Sequence, residues 1–90
     1  MPGVSRVDLD TAGGKITGPG EPSVFVNGKP ISVKGDKVAP HGPGTHAGAV
    51  MVGSSSTVFA GGIGVVRAGD LASCGDKATG SNNVFAGPSN

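Results

Sequence analysis

The sequence predicts an all-β fold, built from short β-hairpins in three pseudo-equivalent units that close on themselves. Three observations predict it. Every Phe in the chain follows a Val, in the phrases "SVFVNG" at 23–28, "TVFAGG" at 57–62 and "NVFAGP" at 83–88. The first two copies lie 34 residues apart, and the same offset matches Gly28 to Gly62, Gly35 to Gly69 and Asp36 to Asp70. No stretch shows apolar residues spaced by three and four over three turns, and Gly or Pro interrupts every candidate helix. Eighteen Gly and seven Pro in 90 residues would otherwise suggest disorder, so the repeat decides the matter.

The elements follow in chain order. "GVSRVD" at 3–8 resembles "ISVKGD" at 31–36 and reads as the second half of a hairpin whose first half is missing. The first full copy runs through Asn27-Gly28, a two-residue turn whose central positions both need positive φ, which Asn and Gly tolerate. The second copy turns at Gly61-Gly62 in the same way. The third, "VFAGPSN", ends the chain before a return strand, so the two termini are expected to complete one unit between them and leave no exposed strand edge. A three-hairpin meander with loose ends is the alternative. Phe25, Phe59 and Phe85 are expected to meet near the axis as a small core.

Composition bounds the rest. Ninety residues suit one domain, taken as 1–90, and a hydrophobic content of 36% with no Trp or Tyr predicts a thin core that a metal or a partner could supplement. A net charge of +1, with scattered basic residues and no interleaved aromatics, argues against nucleic acid. The longest apolar run, "AVMV" at 49–52, is too short to cross a bilayer. The N-terminus lacks the apolar middle of a signal peptide, so synthesis in the cytoplasm and export by another route are expected.

Chemistry concentrates in the loops that follow the hairpins: "GDKVAPHGPGTH" from Gly35, "GDLASCG" from Gly69, and "VDLDTAGG" from Val7. If the units are related by rotation, these loops converge at one end and bring His41, His46 and Cys74 together. Imidazole and thiolate suit a tetrahedral zinc, or less well iron. Such an ion would add folding free energy to a chain short of apolar bulk. The fourth ligand stays open among Asp10, water and nothing. The plainer alternative is two solvated histidines and a small buried cysteine in comparable loops.

Taken together, "VFVNGKPISVKGDKVAPHG", "GSSSTVFAGGIGVVRAGDLASCG" and "TGSNNVFAG" resemble the PAAR-repeat proteins, the metal-bound tips of contractile injection machines. The naming tetrapeptide is degraded, to "PISVK" at 30–34 and "GVVR" at 64–67. The resemblance implies a small cone of hairpins with pseudo-threefold symmetry, stapled by metal at its apex. The base of that cone would sit, as a monomer, on a trimeric central spike, VgrG-like or of a phage tail. It implies a mechanical, membrane-puncturing role at the tip of a type VI secretion apparatus or of a phage baseplate, with transient contact to the target envelope. Any effector cargo would be non-covalent, since no segment is left over. Family members usually carry three His and one Cys around zinc, one His in the first loop. Here that loop reads "DTAGG", so the carry-over extends to His41, His46 and Cys74.

Two other classes are weighed. A hydrolase would use Cys74 as nucleophile with His41 or His46 as base, or a three-ligand metal with an open position, but the only Glu is Glu21 and no second base accompanies the cluster. No enzymatic activity is therefore expected. A free-standing metal-binding adaptor would differ by lacking a spike partner.

Overall fold

The computed structural model describes residues 2–87. Regular backbone there is confined to short strands: β1 (Thr11–Ala12), β2 (Gly14–Gly18), β3 (Glu21–Val26), β4 (Lys29–Ile31), β5 (Lys37–Val38), β6 (Phe59–Ala60) and β7 (Ile63–Gly64). One 3-10 turn, Gly44–Ala47, interrupts the long loop after β5, and no α-helix occurs among the described residues. β1, β2 and β5 form a three-stranded antiparallel sheet in that order, while β3–β4 and β6–β7 are separate hairpins. Both hairpins turn where the sequence indicates. Asn27 and Gly28 have φ of 55° and 83°, and Gly61 and Gly62 have 60° and 82°, so both central residues of each turn are left-handed.

The two ends of the chain make a third hairpin between them. Gly3 pairs antiparallel with Phe85, as Pro30 pairs with Phe25 and Gly64 with Phe59. Val4 N–H donates to Val84 O at 2.9 Å and Ala86 N–H to Pro2 O at 3.0 Å. Hydrogen bonding between the three units then runs in closed cycles. Ser5 N–H donates to Val66 O (2.8 Å), Val66 N–H to Ser32 O (2.9 Å), and Ser32 N–H returns to Ser5 O (2.9 Å). A second cycle lies outside it: Val7 to Pro30 (2.9 Å), Lys34 to Gly64 (2.9 Å) and Ala68 to Gly3 (2.7 Å). Ser5, Ser32 and Val66 are fully buried, so the inner ring satisfies its polar groups within the protein.

Each return strand ends in a loop held by a buried aspartate. Asp36 Oδ2 accepts Val33 N–H (2.9 Å), Asp70 Oδ2 accepts Arg67 N–H (2.8 Å) and Asp10 Oδ2 accepts Arg6 N–H (2.8 Å). This corrects the sequence register of the first unit. Asp10, not Asp8, is the equivalent of Asp36 and Asp70, because the first loop carries one extra residue. Asp8 lies exposed in that loop with φ of 64°, a conformation Asp tolerates better than most residues. The tetrapeptide register also shifts. Arg6 and Arg67 occupy equivalent places, each paired with its aspartate at 2.7 and 3.0 Å, and the residue in that place in the middle unit is Val33. Lys34, which the sequence aligned there, is exposed. Ser32 supplies the missing donor, its hydroxyl bonding Asp36 Oδ2 at 2.7 Å.

The core differs from the expected one. Phe25, Phe59 and Phe85 do not meet at the axis but are 60%, 58% and 50% exposed. Successive strand side chains point to opposite faces, and the inward places go to the residues that follow, Val26, Ala60 and Ala86, all buried. These pack with Val4, Ile31, Val33 and Val65 into one apolar cluster. A second cluster, of Ala12, Ile16, Val38, Ala49, Met51, Val66, Ala72 and Ala78, has Cys74 packed against it. Near a threefold axis three side chains compete for one space, which favours Val and Ala over aromatic rings.

Candidate metal centre

Two loops carry the chemistry. After β5 the chain runs through His41, makes the 3-10 turn Gly44–Ala47 and returns so that His41 N–H donates to His46 O at 3.0 Å. This backbone bond sets the two imidazoles against each other, with ring centroids 4.9 Å apart and planes at 69°. The second loop turns tightly at Gly75, with Gly75 N–H bonded to Ala72 O and Ala72 N–H bonded to Asp76 O, each at 2.9 Å. That turn presents Cys74 and Asp76 on the same side. The loops are laced together by Ser73 N–H to Val50 O at 2.7 Å and Val50 N–H to Ser73 Oγ at 3.1 Å.

The four side chains form one cage. His41 Nε2 lies 2.9 Å from Asp76 Oδ2, 3.0 Å from His46 Nδ1 and 3.6 Å from Cys74 Sγ. Asp76 Oδ2 lies 3.2 Å from His46 Nδ1 and 3.4 Å from Cys74 Sγ. All four donor atoms fall within 4.8 Å of one another. Donors held at about 2.0–2.3 Å from one tetrahedral ion stand about 3.3–3.8 Å apart, so the five separations match that cage to within about half an ångström.

Hydrogen-bond bookkeeping gives an independent test of fit. A backbone carbonyl only accepts, so His41 donates its Nδ1–H to Ala39 O, 2.8 Å away. In the neutral ring this leaves a lone pair on Nε2 facing the Asp76 carboxylate and His46 Nδ1. Three atoms able to present lone pairs converge there, and a metal ion between them, or a proton in its absence, satisfies them. The same bond to Ala39 raises the His41 pKa above its ordinary value, and the Asp76 carboxylate reinforces it against partial desolvation. In return, the hydrogen bonds from His41 and Cys74, with the charges of both imidazoles, hold Asp76 below the usual carboxylate range despite some desolvation. A carbonyl that fixes the tautomer of a histidine is the usual outer support of a metal ligand.

His41, His46 and Cys74, singled out from the sequence, thus come together at one place. Asp76 joins them and was missed, because alignment of the repeats looks for a ligand at a matching position of each unit. The signal was the short spacing of "CGD", which a left-handed Gly75 (φ 89°) folds into one turn. Asp10 does not join the cluster. Its carboxylate is taken by Arg6 and by the Thr79 hydroxyl at 2.7 Å. The first loop does approach: a Cβ on Gly14 would lie 2.8 Å from His41 Nδ1, and one on Gly13 would collide with Asp76 Oδ2 and His41 Nε2.

No curated protein matches the chain. The PAAR motif model matches residues 8–80, which include all four side chains of the cage. That match covers most of the sequence, and the chain belongs to the PAAR motif family.

Proposed function

We propose that the chain, residues 1–90 acting as one domain, is the structural tip that caps the trimeric central spike of a contractile injection machine, with a metal ion held by His41, His46 and Cys74 stiffening its point. Proteins of this family form such spike tips. The observation that carries the reading is the closed cycle of hydrogen bonds through Ser5, Val66 and Ser32. One polypeptide with three equivalent backbone paths offers comparable edges to three subunits without being a trimer itself. The exposed pairs Val24-Phe25, Val58-Phe59 and Val84-Phe85 repeat with the same threefold order. An apolar set of this kind suits burial on the blunt end of a VgrG-like or phage spike, where main-chain pairing would continue the spike's sheets.

The cage supports a mechanical role for the ion. With Asp76 beside the three sequence-derived ligands, four donors complete a tetrahedron, as structural zinc sites do, whereas catalytic zinc keeps a position open. Zinc suits this donor set best and iron is second. The ion would tie loops that the two thin apolar clusters alone hold weakly. Carried at the spike tip, the protein would meet the target envelope only during contraction. Mixing the purified protein with the trimeric spike protein of its own host tests this. One tip per trimer by light scattering supports the reading, and separate elution at micromolar concentrations contradicts it.

A further inference from the structure

The three loops that converge at the cage are fastened in two different ways. Loops 39–49 and 72–78 supply all four donor atoms. The first loop, 8–14, supplies none, although it comes just as close: Gly13 lies where any side chain would strike Asp76 Oδ2 and His41 Nε2. Its φ of 83° further selects against a side chain there. This loop is held by a separate polar lock. Thr79 N–H donates to Thr11 O (2.8 Å), Thr11 N–H donates to Thr79 Oγ1 (3.0 Å), and Thr79 Oγ1–H donates to Asp10 Oδ1 (2.7 Å).

Resting on the metal-tip reading, we propose that the ion staples two loops and not three. Bare Gly13 leaves the fourth coordination position to Asp76, and the Thr11–Thr79–Asp10 lock secures the first loop independently of metal. The Cys74–Asp76 pair answers the His41–His46 pair across one ion. Two anionic donors then balance the charge of a divalent cation, so the site closes without net charge.

Hydrogen exchange of the full chain, with and without a strong chelator, separates the loops. Removing the metal should speed exchange at least about tenfold at the hydrogen-bonded amides of His41, His46, Ala72 and Gly75 and leave Asp8, Asp10 and Ile16 within about twofold. Equal acceleration in all three loops overturns the two-loop staple while leaving a metal tip standing. No acceleration anywhere, with no metal found before chelation, overturns both. Substitution supplies a second measurement. Gly13→Ala should lower zinc affinity at least about tenfold, since its Cβ takes the place of the Asp76 oxygen. Gly35→Ala, equally left-handed (φ 92°) but with open space around it, should retain zinc. Loss of zinc by both variants to the same degree overturns the assignment to Gly13.

Discussion

Replacing Phe59 with Ala should destabilise the protein less than replacing Met51 with Ala, although the ring is the larger side chain. Met51 is 0% exposed and sits in the cluster beside Cys74, whereas Phe59 is 58% exposed at the outer face of β6. Truncating a buried Met removes its transfer free energy and leaves a cavity, together about 2–5 kcal/mol. An exposed residue in a hairpin contributes at most a cross-strand side-chain pair, about 0.2–1 kcal/mol, and the residue opposite Phe59 is Gly64, which has no side chain to pair with the ring. For a domain of this size about 1 kcal/mol moves the melting temperature by about 4–8 °C. The melting temperature followed by far-ultraviolet circular dichroism should therefore fall by no more than about 8 °C for Phe59→Ala and by about 8 °C or more for Met51→Ala. The triple variant at Phe25, Phe59 and Phe85 should still fold, yet fail to co-elute with the spike trimer. A larger loss for Phe59→Ala than for Met51→Ala would mean that the aromatic residues are core after all.

Other perturbations follow from the same contacts. Cys74→Ser should weaken metal binding about a hundredfold or more, equivalent to about 2.7 kcal/mol at saturating metal, and so melt well below Ser73→Ala; equal melting temperatures would make the thiol a spectator. Asp70→Ala strips a buried ion pair from Arg67, a change that should cost about 3 kcal/mol in chemical denaturation, while Lys34→Ala at the exposed middle-unit position should change little. Burial alone would push the Asp10 carboxyl up, but hydrogen bonds from Arg6 and Thr79 and the Arg6 charge outweigh it and hold its pKa below the ordinary 3.8. Its stabilising contribution is therefore present above that value and is lost as pH falls through the lowered one. Asp10→Asn should flatten the loss of stability below about pH 4, and an unchanged acid limb would show that the pair contributes nothing.

Turn chemistry and repetition made the hairpins legible: Asn27-Gly28 and Gly61-Gly62 could hardly serve another purpose, and the split between the termini follows from the truncated third copy. Orientation was not legible. β6 is two residues long, too short to display the alternation that tells an inward from an outward residue, and the six residues of β3 do not alternate either, four exposed residues preceding the buried Val26, so Val-Phe read as core when the next residue was the buried one. The extra residue in the first loop offered two aspartates for one role, and only the hydrogen bonds to Arg6 and Thr79 distinguish Asp10 from Asp8. The His and Cys positions were visible as chemistry, but Asp76 depends on a local turn, which a comparison between units does not reveal.

X-ray absorption at the metal edge, together with elemental analysis of the purified protein, tests the stapled tip most directly. The account predicts one zinc per chain in a first shell of two nitrogens, one sulfur and one oxygen, with the oxygen lost in Asp76→Ala and the sulfur lost in Cys74→Ser. Well-folded protein that contains no transition metal, or a metal bound without sulfur, would contradict it.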